Sequence, residues 1–140
     1  MHTDDQLKHI LKSTRTIASV GLSSNPGKES YGIAQYLKDH GYTVIPVNPT
    51  ADEILGEKAY PDLATIPGKI DVVQLFRKSE DVPPFVDEAI QIGAKVVWMQ
   101  EGIENAPAAA KAESAGLTVV MDRCMRAEHI RLIGENFHTL

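Results

Sequence analysis

Thr16-Ile-Ala-Ser-Val-Gly-Leu-Ser-Ser-Asn-Pro-Gly-Lys-Glu-Ser-Tyr-Gly32 runs from an apolar segment through small and polar residues into a helical pattern. Ile17 to Val20 has the character of a buried strand, and Ile33, Ala34, Tyr36 and Leu37 recur at helical spacing. A strand that turns through Gly, Ser, Asn and Pro into a helix leaves backbone N–H groups pointing above the sheet. Those donors, with the positive end of the helix dipole, favour a phosphate. The loop therefore reads as the seat of a phosphate-bearing ligand, with an ordinary β–α connection as the plain alternative. It is neither a G-x-G-x-x-G fingerprint nor a G-x-x-x-x-G-K-[ST] loop.

Outward from this stretch, apolar runs and helical segments alternate. Strands are expected at Thr16–Val20, Thr43–Val47, Ile70–Phe76, Lys95–Met99 and Leu117–Met121. Each is short and apolar without alternation, as for parallel strands covered on both faces. Helices are expected near Ser30–Asp39, Pro84–Ile92, Ala106–Ala115 and Arg126–Leu132, after a lead-in helix at Asp4–Lys12. A weak helix is expected at Pro61–Ile66, cut off by Pro67, and Gly41, Gly93 and Gly116 stand where left-handed C-caps belong. The fold class is α/β: a single doubly wound Rossmann-like domain with five parallel strands in the order 3-2-1-4-5. One domain over 1–140 follows, with a lead-in helix at 1–13, a core at 14–133 and a tail at 134–140. In this architecture ligands bind at the carboxyl edge of the sheet.

The bulk numbers narrow the function. The chain of 140 residues is 43% hydrophobic and 24% charged, as in a soluble globular domain. A net charge of −5 argues against a broad nucleic-acid surface, and no apolar run approaches a bilayer span. The N-terminus lacks the layout of a secretory signal, and the single cysteine fits a reducing compartment. The reading is cytoplasmic.

Strand-to-helix loops carry the candidate site. After the first strand come Gly21, Leu22, Ser23, Ser24, Asn25, Pro26, Gly27 and Lys28, and after the second Val47-Asn48-Pro49. The third strand ends in Phe76-Arg77-Lys78, the fourth in Met99-Gln100-Glu101-Gly102 and the fifth in Asp122-Arg123-Cys124. A dinucleotide site wants an acid at the end of the second strand, and Asn48-Pro49 stands there instead, which counts against NAD. Asn48-Pro49 reads equally as a turn device or a ligand contact. Arg77 is placed to pair with ligand phosphates or to stand as a solvated charge, Phe76 to flank a ring or fill the core, and Gly102 to admit close backbone approach or to belong to a helix cap. Gly21 is expected to leave space beneath a diphosphate, so that Gly21→Val fills the phosphate site while the sheet stays folded; the alternative is a glycine that merely ends the strand, where valine destabilises the fold. Cys124, between Arg123 and Arg126, is either a reactive thiol or an inert buried one. His2, His9, His40, His129 and His138 show no metal-ligand spacing, and no nucleophile–base pair can be assembled.

Taken together, Gly-Leu-Ser-Ser-Asn-Pro (21–26), Gly-Tyr-Thr-Val-Ile-Pro-Val-Asn-Pro (41–49) and Ile-Asp-Val-Val-Gln-Leu-Phe-Arg (70–77) resemble the small CoA-binding protein family. So do Val-Val-Trp-Met-Gln-Glu-Gly-Ile (96–103) and Val-Val-Met-Asp-Arg-Cys (119–124), and the likeness runs from about Ile10 to Leu132. The family is similar to the CoA-binding domain of the succinyl-CoA synthetase alpha subunit, standing alone. The resemblance implies that Ser23, Ser24, Asn25 and Pro26 lie on the loop that holds CoA, with Met99-Gln100-Glu101 a further contact. The synthetase carries a CoA-contacting lysine after the second-strand proline, where this chain has Thr50-Ala51; Lys28 or Arg77 is the expected substitute. The synthetase's phosphorylated histidine belongs to a second domain. What is implied is a binder of CoA or an acyl-CoA without ligase chemistry and with no protein partner specified. A small nucleotide- or thioester-dependent enzyme using Arg77, Gln100, Glu101 and Cys124, or a CoA-responsive regulatory protein, are the alternatives.

Overall fold

The computed structural model describes residues 2–134; the expected tail, beyond Gly134, lies outside them. Helix α1 (Asp4–Ser13) opens on a capping box, Thr3 and Gln6 each bonding the other's backbone N–H. Strand β1 (Thr16–Val20), helix α2 (Glu29–Asp39) and strand β2 (Thr43–Val47) follow. A small hairpin of β3 (Glu53–Ile54) and β4 (Glu57–Lys58) leads to β5 (Val72–Leu75). Helix α3 (Pro83–Gln91), β6 (Val96–Met99), α4 (Ala106–Ser114), β7 (Thr118–Val120) and α5 (Met125–Leu132) complete the chain. Gly41, Gly93 and Gly116 all have positive φ, so the three helix-ending glycines do what their positions require.

The five long strands form one parallel sheet, and the α/β, Rossmann-like class stands. Its order is β2-β1-β5-β6-β7, which corrects the expected 3-2-1-4-5: the third long strand lies between the first and fourth, not beyond the second. Two sets of polar contacts explain why. The outer edge of β2 is already taken: Tyr60 N–H donates to the Pro46 carbonyl (3.0 Å), and Asn48 N–H to the Tyr60 carbonyl (2.9 Å). The free edge of β1 is claimed by Asp71, whose carboxylate accepts from the N–H groups of Arg15 (2.8 Å) and Thr16 (3.1 Å). Burial alone would raise the Asp71 pKa; the two N–H donors and Lys95 outweigh it and hold the carboxyl below its ordinary range. The connection from β2 to β5 holds the β3–β4 hairpin and turns, and Pro61–Ile66 is not helical, a second correction. Thr65 N–H donates to Asp62 Oδ1 (3.0 Å) instead of to a helix carbonyl, and the segment is a run of turns.

Apolar side chains alternate across the sheet and fill two cores. Ala18, Val20, Val73, Leu75, Val97 and Met99 pack against α3 and α4. Ile17, Val72, Val96, Trp98 and Val120 pack against α1, α2 and α5. The direction in which successive strands are added reverses between β1 and β5, where doubly wound folds of this order open a crevice at the carboxyl ends.

Candidate functional site

Because the strands are parallel, the loops after β1, β2, β5, β6 and β7 share one edge. The sequence-predicted residues are therefore neighbours at this rim, but they differ in what they present. Ser24, Asn25, Pro26, Lys28, Pro49, Arg77, Glu101 and Gly102 are exposed, while Gly21, Ser23, Asn48 and Phe76 are half-buried. Leu22, Val47, Met99 and Gln100 are buried, so a ligand at the rim meets them through backbone.

The β1–α2 loop is internally braced. Ser30 Oγ accepts from Ser23 N–H (3.1 Å), Ser23 Oγ from Asn25 N–H (3.0 Å), and Asn25 Oδ1 from Gly27 N–H (2.9 Å). Such side-chain turns shape a loop without secondary structure to hold it. Asn48 stitches it to the next loop: its Nδ2 donates to the Leu22 carbonyl (3.0 Å), and its Oδ1 accepts from Thr50 N–H (2.9 Å). The turn reading of Asn48 is thus seen directly. Lys28 caps α2 without a side-chain hydrogen bond to the helix.

Between these loops lies a cleft of about 270 Å³ lined by Val20, Gly21, Val47, Asn48, Pro49, Thr50, Pro61, Arg77 and Phe85. Arg77 spans its wall, its guanidinium 5.5 Å from the Phe85 ring centroid and only 3.8 Å from Asp81 Oδ2. That ion pair is long and solvated, so it competes weakly with a ligand phosphate. Thr50, Pro61 and Phe85 are not expected as contacts from sequence; they reach the cleft from a loop and a helix face that carry no motif. A larger groove of about 560 Å³ runs along the outer edge of β7. Its charged lining is Glu104, Glu113 and Asp122 against Arg123, which disfavours an anion.

Three expectations change with the geometry. Gly21 has φ +86°, and a Cβ there would sit 3.1 Å from Arg77 Cδ and 3.3 Å from Phe76 Cβ. The glycine makes room for strand β5 as well as for anything above it, so Gly21→Val strains the fold rather than only filling a phosphate site. Gln100 is 3% exposed, and its Oε1 accepts from Gln74 Nε2 (3.2 Å) and Met125 N–H (3.1 Å). Ser19 Oγ donates to Gln74 Oε1 (2.9 Å), completing a buried polar chain across β1, β5 and β6. Cys124 is buried at 8% exposure within the α1–α2–α5 core, which leaves the inert reading of its thiol. Among the described residues no group of three or more His, Cys, Asp or Glu is arranged to hold a metal.

Similarity to known proteins falls where the geometry leads. The Bacillus subtilis protein YneT is 42% identical over 124 residues, spanning 89% of this chain and 92% of its own length. A solved protein of Pyrococcus horikoshii OT3 superposes with a TM-score of 0.92 at 46% identity, covering 95% of this chain and 94% of that one. The acetate–CoA ligase (ADP-forming) II subunit alpha of Pyrococcus furiosus is 31% identical over 124 residues; these are 87% of this chain but only 26% of the ligase subunit. The sequence model of the CoA binding domain matches residues 15–130, and the chain belongs to that family.

Proposed function

We propose that this protein binds CoA or an acyl-CoA at the carboxyl edge of the sheet, with the ligand diphosphate over the Gly21–Lys28 loop and no ligase chemistry of its own. The observation that carries this reading is the cleft between the β1 and β2 loops, walled by Arg77, in a chain of the CoA binding domain family. The residues fit the ligand class: braced loop backbone, the Arg77 and Lys28 cations and the apolar faces of Pro49, Pro61 and Phe85 suit a phosphorylated adenosine. Lys28 and Arg77 stand in for the cation missing at Thr50-Ala51. The buried Cys124 and the structurally committed Gln100 support binding over thioester chemistry at this rim.

Thermal melts with saturating CoA, acetyl-CoA, NAD, NADP and FAD test the assignment. Ligand at 100 times its Kd adds about 2.7 kcal/mol, roughly 8 °C for a domain of this size. The expected result is a shift with the CoA species. A shift with NAD and none with any CoA species overturns the reading.

A further inference from the structure

We propose that Arg126, the second residue of α5, is a second cation of this site and pairs with the ligand diphosphate from the face of the sheet opposite Arg77. This rests on the CoA reading above. The Arg77 guanidinium lies against Phe85 of α3, on one face of the sheet. Arg126 belongs to the helices of the other face, where α2 and α5 pack together. Its NH1 reaches the first turn of α2, 3.4 Å from where a Cβ on Gly32 would stand. Gly32 is bonded through its own N–H to the Lys28 carbonyl, so the guanidinium lies beside the end of the Gly21–Lys28 loop.

Two further observations point from Arg126 toward a ligand. The flanking arginines are both committed, Arg123 to Glu128 and Arg131 to Asp4 and Glu128. Among the described residues the Arg126 guanidinium has no hydrogen-bond or ion-pair partner, in a chain with 19 acidic and 14 basic residues. An arginine left without a carboxylate in an acidic protein, half-buried on a helix backbone, is disposed for an external anion. The buried polar chain also fixes the backbone from which it extends. Gln100 Oε1 grips the N–H of Met125, the residue before Arg126, and Gln74 and Ser19 tie Gln100 to the strand that launches the loop. Strand β1 therefore sets the loop and the Arg126 turn in one rigid frame.

Calorimetric titration of the parent, Arg126→Gln, Arg126→Lys and Arg77→Gln with CoA and with dephospho-CoA, which keeps the diphosphate but lacks the 3′-phosphate, tests the pairing. Arg126→Gln is expected to weaken both ligands by the same factor, roughly 10- to 100-fold. Arg126→Lys should recover part of the loss, and the melting of the unliganded variants should match the parent. Three results overturn the inference while leaving the CoA reading intact. One is an Arg126→Gln protein that binds CoA within about two-fold of the parent. Another is a loss seen with CoA and absent with dephospho-CoA. The third is a loss of affinity matched by an equal loss of unliganded stability in both Arg126 variants. A parent that binds neither ligand overturns the CoA reading itself and the inference with it.

Discussion

Lowering the pH from 8 to 5 should cost this fold about 2 kcal/mol through one side chain, His129. Its ring is fully buried between α2 and α5, with Nδ1 2.8 Å from the Tyr36 hydroxyl and the rings of His40 and Tyr42 at 5.5 and 5.9 Å. Burial, with a smaller contribution from His40, pushes its pKa from the ordinary 6.5 down to about 4. The sign follows from proton counting. Between those values the unfolded chain takes up a proton that the folded chain refuses, so stability is complete above 6.5 and is lost as the pH falls toward 4. At 1.36 kcal/mol per pH unit the full loss is about 3 kcal/mol, of which about 2 has accrued by pH 5. Asp4 and Asp71, held below 3.8, give up their contributions only at lower pH; Glu88, raised by burial, acts in the opposite direction. All three persist in a His129→Gln variant, so the difference between the two proteins isolates the histidine. Urea unfolding followed by Trp98 fluorescence at several pH values is the assay, since that single tryptophan is wholly buried and donates to the Arg123 carbonyl at 2.7 Å. The variant's profile should be flatter by about 2 kcal/mol between pH 8 and 5. Parallel profiles for parent and variant would refute the reasoning.

Other substitutions separate strain from packing. Gly21→Ala, forced to φ +86° with its Cβ against Arg77 and Phe76, should lose about 1–3 kcal/mol in urea unfolding, and unchanged stability would show that β5 gives way freely. Gly32→Ala should gain up to about 1 kcal/mol, because helix α2 prefers alanine and the nearest atom to the new Cβ is the tip of a flexible arginine. A destabilised Gly32→Ala protein would mean that the guanidinium cannot move. Gln74→Leu leaves the buried Ser19 hydroxyl without its acceptor and should cost about 1–3 kcal/mol; a neutral result would show that the polar chain does not stabilise the sheet.

The strands were readable because both faces of the sheet are covered, which leaves each core strand mostly apolar. Their helix-ending glycines were equally plain, since a left-handed cap has few other solutions. Strand order was not readable, and the reason is local. It turns on the edge of β2 being closed by the backbone of Tyr60 and on one carboxylate, Asp71, capturing two N–H groups at the start of β1. Neither contact has a period, and both lie in or beside an irregular connection where hydrophobic patterning is silent.

The candidate site divides along the same line. Parallel strands bring every strand-end loop to one rim, so its membership followed from the β–α alternation alone. Side-chain direction did not. Gln100 reads as a rim residue from its place after β6, yet it turns inward because polar residues already wait beneath it. Ser19 and Gln74 stand opposite one another in register on adjacent strands, and two polar residues inside otherwise apolar runs need each other once both faces are covered. That pairing was visible in principle: Ser19 and Gln74 each break a run of aliphatics one residue before its last aliphatic. The sequence shows such positions as exceptions, but Gln100, which completes the pairing, comes from a distant element and is brought near only by the fold.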